Sequence, residues 1–193
     1  GKGGAEPSPY FHCEALKRQI ALRRSVHKSN RLSHIMHRRK GEGVMMKIGV
    51  SSYSYSALVN KGAMAQFDAI RKAKEMGFDV IEFAGLAAPE GESAESYAAR
   101  VRDECGRVGI ETGNYTIGAD LINGSNGDPD AEAERLKGEV RIAEILGAPG
   151  MRHDATRGFA PGCHGARSFR DALPILVKGC RAVTPYAAER GIR

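Results

Sequence analysis

Three consecutive side chains that carry charge or exchange protons stand at positions 152–154, where the chain reads PGMRHD from residue 149. Arg152 carries a guanidinium group that donates hydrogen bonds, the imidazole of His153 can donate or accept a proton, and the carboxylate of Asp154 accepts hydrogen bonds. Such a group suits acid–base catalysis or a metal site, and a polar loop after a short strand has the same composition. The elements around the cluster must decide among these three interpretations.

The chain around this cluster repeats one pattern four times: a segment with helical periodicity ends in glycine, and a short apolar segment follows. Glycine is favoured just past a helix because it adopts the left-handed backbone conformation at little cost. Strands that alternate with helices at this spacing predict βα units and a parallel sheet. The glycines are Gly77, Gly109, Gly147 and Gly191, and the predicted strands cover residues 47–53, 78–83, 110–116 and about 149–153.

Two architectures with a parallel sheet compete for this pattern. A dinucleotide-binding fold requires a glycine-rich turn after its first strand. Here the first strand leads into SSYSYS, and neither GxGxxG nor GxxxxGK[ST] occurs in the chain. A (β/α)8 TIM barrel needs no such fingerprint and typically takes about 250 residues. We therefore expect an α/β protein in which residues 45–193 are the first four βα units of a (β/α)8 TIM barrel, truncated where residues 191–193 begin strand five.

The basic character of the chain is confined to its first 44 residues. The formal charge is +6, and residues 1–44 contain ten Lys and Arg against three Glu, so that segment carries +7 and the rest −1. We interpret residues 1–44 as a basic extension, non-native or disordered, or loosely helical. No apolar run approaches the roughly 18 residues of a membrane span, and the four cysteines follow no signal-peptide core. We therefore expect a cytoplasmic protein with reduced thiols and no membrane partner.

Four pieces of residues 46–193 resemble the sugar phosphate isomerase/epimerase family, which belongs to the xylose isomerase-like TIM barrel superfamily. They are MKIGVSSYSYS at the first strand, AKEMGFDVIEF at the second, AEILGAPGMRHD at the fourth and TPYAAERGIR before the fifth. The resemblance implies aldose–ketose isomerisation or ketose epimerisation in carbohydrate metabolism. In that chemistry a proton next to a carbonyl is removed and an enediolate forms.

The resemblance also implies a divalent metal, Mn²⁺ or Mg²⁺, with Zn²⁺ or Co²⁺ as alternatives, which would polarise the substrate oxygens. The family's ligands are two Glu, an Asp and a His at the ends of strands five to eight. No metal ligand is therefore expected in this chain, and the first is expected beyond Arg193. The full-length parent is expected to be an isomerase or epimerase acting on a sugar or sugar phosphate, and the 193-residue chain is expected to be inactive alone.

Polar residues at the four strand ends form the candidate site, because barrel active sites lie where strands end and βα loops begin. His153 is the candidate catalytic residue, and Arg152 is expected on the opposite face of the strand. Each candidate also has a structural interpretation, as a half-buried aromatic, a surface ion pair or a local backbone contact. The candidate substrate-binding residues are Tyr53, Tyr55, Glu82, Asn114, Tyr115 and Asp154.

Two other functions remain open from the sequence alone. The first is an endonuclease-type barrel acting on DNA, but such enzymes use several zinc-binding histidines, and residues 45–193 contain only His153 and His164 and carry −1. The second is a non-catalytic binding module whose basic leader, residues 1–44, binds nucleic acid. Unpaired edges of an unclosed sheet would in addition favour a homo-oligomer or aggregation.

Overall fold

The computed structural model of the chain describes residues 46–160 and 168–193. The predicted basic extension, residues 1–44, lies outside these ranges. Within them strands and helices alternate as the glycine-punctuated repeat predicts. The strands are β1 (Gly49–Ser51), β2 (Val80–Ala84), β3 (Glu111–Ile117) and β4 (Met151–His153), and the helices are α1 (Ser56–Asn60), α2 (Gln66–Glu75), α3 (Ala94–Val108), α4 (Pro129–Leu146) and α5 (Phe169–Glu189).

The first strand is shorter than the predicted 47–53. It ends at Ser51, and a 3-10 turn, Ser52–Tyr55, follows at once. The hydroxyl oxygen of Ser51 accepts a hydrogen bond of 3.3 Å from the backbone N–H of Tyr53 and caps this turn. Serine side chains that bond nearby backbone groups favour turns over strands, which explains the early end of β1.

Helices α3 and α4 begin at polar caps and end at two of the predicted glycines. The side chain of Asp128 accepts hydrogen bonds from the first backbone N–H groups of α4, and that of Ser93 does so for α3. Gly109 and Gly147 follow α3 and α4 with φ of 70° and 76°, and their N–H groups donate back to carbonyls of the last helical turn. These left-handed residues let each helix end and turn directly towards the next strand.

The four strands form one parallel sheet in the order β1-β2-β3-β4. Strand order therefore follows chain order, as in successive units of a barrel. The free edge of β4 also pairs with Arg193: the N–H of Met151 donates to the Arg193 carbonyl at 2.8 Å, and the N–H of Arg193 donates to the Pro149 carbonyl at 3.3 Å. These two bonds are the pattern of a parallel bridge, so Arg193 pairs with β4 where a fifth strand was predicted.

The hydrophobic core lies between one face of the sheet and the helices. Ile81 and Phe83 of β2 are fully buried and share a cluster with Ile70 of α2, Val101 of α3 and Leu136 of α4. Burying one side chain of this size stabilises the fold by about 1.5–3 kcal/mol. No helix in the described ranges combines the length and apolarity needed to cross a membrane.

Candidate active site

The strands divide their side chains between the face that the helices cover and an open face. In β2, Ile81 and Phe83 are buried beneath the helices, whereas Val80, Glu82 and Ala84 alternate with them and are partly exposed. We call the face that carries these three residues the inner face. Residues that are paired in neighbouring parallel strands lie on the same face of the sheet. The strand register therefore shows which side chains of β1, β3 and β4 lie on the inner face.

A pocket of about 390 Å³ lies on the inner face. Its lining includes Ser51, Glu82, Asn114 and Pro149, and Ser51 is the register partner of Glu82. Two of the predicted substrate-binding residues, Glu82 and Asn114, therefore lie in one cavity. Their carboxylate and amide, together with the serine hydroxyl, offer donors and acceptors to a ligand rich in hydroxyl groups.

A β-bulge in β3 places Asn114 in this pocket. The register between β2 and β3 shifts, so that Glu82 faces both Gly113 and Asn114. Glycine at position 113 avoids close contacts, because a Cβ there would lie 3.0 Å from Cγ1 of Val80 and 3.2 Å from the carbonyl oxygen of Ile81. A bulge of this kind re-aims the side chains that follow it.

Two of the predicted substrate-binding tyrosines lie away from the pocket, which corrects the expectation for them. Tyr55 is buried, and its hydroxyl donates to Sδ of Met76 at the end of α2 over 3.7 Å. Tyr115 is buried on the helix side, and its hydroxyl donates to Oε2 of Glu139 on α4 at 2.9 Å. Burial, with the Glu139 charge beside it, raises the pKa of Tyr115 well above its usual range. Tyr53 lies in the turn after β1 and is 73% exposed.

At the end of β4, the residue on the inner face is Arg152 and not His153. Arg152 pairs with Thr116, which pairs with the inner-face residue Ala84. His153 pairs with Ile117, which is buried in the core beneath the helices. The expected faces of Arg152 and His153 are thus reversed, because the bulge in β3 changes the phase of every pairing beyond it. The predicted catalytic role of His153 has no support from this position.

Asp154 forms its ion pair with Arg152. Nη2 of Arg152 lies 2.9 Å from Oδ1 of Asp154, and the two side chains are 64% and 47% exposed. The imidazole Nδ1 of His153 lies 2.7 Å from the backbone carbonyl oxygen of Asp154. The carboxylate of Asp154 therefore holds the arginine.

Three buried polar side chains that the sequence did not single out each hold a βα loop: Ser52, Gln66 and Glu132. The hydroxyl oxygen of Ser52 accepts from the backbone N–H of Ala84 at 2.9 Å, which joins the ends of β1 and β2. The side-chain amide of Gln66 donates to the carbonyl of Gly85 at 3.1 Å. Buried groups satisfied in this way fix the loops at the carboxyl ends of the strands.

Glu132 anchors the loop that follows β3. Arg135 forms two bonds to its carboxylate, from Nη2 to Oε1 at 2.7 Å and from Nε to Oε2 at 3.0 Å. The hydroxyl of Ser125 donates to Oε2 at 2.7 Å, and the backbone N–H of Asp120 donates to Oε1 at 3.2 Å. These hydrogen bonds, chiefly those from Arg135, outweigh burial and lower the pKa of Glu132 to about 2.

Asp120 joins the loop after β3 to the loop after β4. Its carboxylate accepts from the Thr156 hydroxyl at 2.8 Å, from Nδ2 of Asn123 at 2.9 Å and from the N–H of Arg157 at 3.3 Å. Burial alone would raise the pKa of Asp120, but hydrogen bonds from Asn123, Thr156 and the backbone hold it well below its usual range. The sequence carried a signal for this loop, since Asp and Asn three residues apart favour a side-chain-capped turn.

Solved structures with this arrangement include sugar epimerases and a xylose isomerase domain protein. An L-ribulose 3-epimerase matches with a TM-score of 0.55 and 19% identity, over 77% of this chain and 48% of that chain. A 3-keto-D-glucoside 4-epimerase from E. coli matches with a TM-score of 0.55 and 18% identity, over 77% and 54%. A xylose isomerase domain protein from Planctomyces limnophilus gives 0.50 and 16%, over 76% and 50%. Neither a protein-family model nor a curated protein matches the chain.

The chain has the fold of half a TIM barrel, similar to that of these structures. It spans about half the length of the structures that it matches, and its four βα units are half of the eight that such a barrel contains. The fold predicted from the repeat is confirmed. The inner face is accordingly part of a barrel wall, and the ends of β1 to β4 belong to the end of the barrel where active sites lie.

The described part of this barrel half does not fit the divalent metal that the resemblance implies. Among residues 46–160 and 168–193, no three His, Cys, Asp or Glu side chains converge as a ligand set. The two acidic residues Asp154 and Glu82 have different surroundings: Asp154 pairs with Arg152, and Glu82 lines the pocket. We assign no catalytic step to a metal held by these residues.

Proposed function

We propose that this chain is the N-terminal half of a sugar isomerase or epimerase that moves a proton on the carbon next to a carbonyl group. The observation that carries the proposal is the match of the fold to two sugar epimerases. Position 3 of a ribulose adjoins its carbonyl carbon, and position 4 of a 3-keto-glucoside does the same. Both enzymes are therefore named for inverting a carbon whose proton a neighbouring carbonyl acidifies.

The inner-face pocket supports a sugar as the ligand. Glu82 accepts hydrogen bonds from hydroxyl groups, and the amide of Asn114 both donates and accepts. The loops above them are held by Ser52, Gln66 and Glu132, so little conformational entropy remains to be lost when a substrate binds. The sugar-binding wall is thus proposed to be preformed, with Glu82 and Asn114 as its contacts.

The remaining parts of the proposal concern the whole protein. A divalent metal would polarise the substrate carbonyl in a complete barrel, with ligands on strands five to eight. We expect the 193-residue chain to be inactive alone, to reside in the cytoplasm and to self-associate through its open sheet edges. Action on DNA is not favoured by any contact in the described residues.

The test is epimerisation of ketoses by a complete barrel that contains this chain. We expect an epimer at the carbon next to the carbonyl, and we expect Glu82→Gln to raise KM by about tenfold with a smaller change in kcat. Glu75→Gln is the matched control, because the Glu75 side chain is 65% exposed on α2 and pairs with Lys72. An unchanged KM in Glu82→Gln would remove the pocket from the substrate site, and absence of any epimer would remove the proposed function.

A further inference from the structure

The inner face ends, on β2, β3 and β4, in a row of three register partners: Ala84, Thr116 and Arg152. This row lies beyond the Glu82 pocket towards the carboxyl ends of the strands, where a barrel binds its substrate. Ala84 is small and Thr116 is short, so the long side chain in the row is that of Arg152. Arg152 is therefore the group on these strands that reaches towards a substrate.

The geometry points to Arg152 and Asp154 as a subsite for two adjacent hydroxyl groups of a neutral sugar. This inference rests on the proposed function, because it names the part of the substrate that β4 contacts. Adjacent hydroxyls each donate and accept a hydrogen bond. The guanidinium presents hydrogen-bond donors and the carboxylate presents acceptors, and the distance of 2.9 Å between Nη2 of Arg152 and Oδ1 of Asp154 places the two groups side by side.

The exposure of the pair distinguishes this subsite from a structural ion pair, and its charge distinguishes it from a phosphate site. The side chains are 64% and 47% exposed, and an ion pair so accessible to water adds at most about 1 kcal/mol to stability. Its contribution to the stability of the fold is therefore small. Its guanidinium charge is already balanced by Asp154, and the neighbouring pocket adds the carboxylate of Glu82. This wall favours a polyhydroxy ligand over a phosphate.

The experiment is a titration of the 193-residue chain with D-fructose, followed by NMR of the arginine Nε–Hε groups and of the backbone amides. The Arg152 resonance, assigned with Arg152→Lys, is expected to shift and saturate. Arg152→Gln and Asp154→Asn are each expected to weaken binding about tenfold. His153→Gln, on the opposite face, is expected to leave it unchanged. Arg107→Gln breaks an ion pair of the same chemistry to Glu104, 2.7 Å long and remote from the inner face, and controls for loss of charge.

Each other outcome overturns the inference in a recognisable way. Saturable shifts at Glu82 and Asn114 but not at Arg152 would leave the proposed function standing and remove the subsite. Inorganic phosphate is the comparison ligand. If it binds at Arg152 more tightly than D-fructose does, and more tightly still in Asp154→Asn, the Arg152 site is an anion site and the inference is overturned. No saturable shift anywhere would overturn both the subsite and the proposed sugar ligand. Thermal melting of each variant shows whether it is folded, and Arg152→Lys repeats the test should Arg152→Gln fail to fold.

Discussion

Glu132 shows how a buried charge is made stable at the active-site end of the sheet. Its carboxylate is almost completely removed from water, yet Arg135, Ser125 and the backbone of Asp120 supply donors to both oxygens. A buried carboxylate without partners would be neutralised or would destabilise the fold. With them it fixes the start of α4 to the loop after β3, so that the loop keeps one conformation.

Replacing this carboxylate by an amide is expected to cost about 2 kcal/mol of unfolding free energy. In Glu132→Gln the bidentate pair with Arg135 is lost while the arginine remains in place. The measurement is urea denaturation followed by circular dichroism. Glu134→Gln is the matched control, because that side chain is 71% exposed and pairs only with Lys137 among the contacts described, so its change should stay within about 0.5 kcal/mol. Equal effects of the two substitutions would contradict the role of Glu132.

The same comparison has a defined pH dependence. The pKa of Glu132 is lowered from 4.5 to about 2, so its ionised form is the one that the folded state favours. This contribution is fully present above about pH 4.5 and is lost as the pH falls towards 2. The difference in unfolding free energy between the wild type and Glu132→Gln should therefore shrink over that interval. A difference that is constant from pH 6 to about pH 2.5 would show that the charge of Glu132 is not what stabilises the loop.

At the scale of elements, the bulge in β3 decides which side chains face the barrel interior. Strict alternation from Glu82 through an unbulged β3 would place Tyr115 on the inner face, and with it the β4 residue His153. The extra residue reverses both, so that Tyr115 packs towards α4 and Arg152 replaces His153. Side-chain period in a strand is two, so a single added residue moves all later side chains to the other face.

Gly113→Ala tests the close packing at this bulge. The added methyl group would press on Val80 and on the backbone of Ile81, and we expect destabilisation of about 1–3 kcal/mol. Gly106→Ala provides the control, because Gly106 lies within α3 and a methyl group added there would meet no neighbouring atom within 4 Å, so alanine should stabilise by up to about 1 kcal/mol. Thermal melts of both variants show whether each substitution stabilises or destabilises the fold. Destabilisation by both, or by neither, would contradict the packing described at Gly113.

The elements themselves were largely predictable, and the faces of their residues were not. Glycines after helices and the alternation of helices with apolar segments fixed four βα units, since Gly109 and Gly147 adopt the left-handed conformation that ends a helix. The position of Glu82 followed from alternation in a strand without irregularities. Tyr55 and Tyr115 were misplaced because a serine-capped turn and a bulge are set by packing against neighbouring strands and helices. Gly113 was the one local signal of that bulge.

At the scale of the whole molecule, four parallel strands form an open wall. A closed barrel fills its interior with side chains from all strands, whereas here the inner face carries a pocket of about 390 Å³ beside polar residues. The edge at β4 pairs with Arg193. The match to the L-ribulose 3-epimerase covers 48% of the length of that chain. The fold therefore places these hydrogen-bonded loops at the end of the sheet where TIM barrels have their active sites, and under the proposed function this wall is half of a substrate site.

The central claim is proton transfer at the carbon next to a sugar carbonyl, and solvent isotope exchange tests it most directly. A ketose such as L-ribulose is incubated in D₂O with a complete barrel that contains this chain, and deuterium is located by NMR. We predict deuterium at the carbon next to the carbonyl in both epimers, and none above buffer with the 193-residue chain alone. No deuterium with the complete barrel for any ketose tried, or exchange by the 193-residue chain alone, would contradict the account.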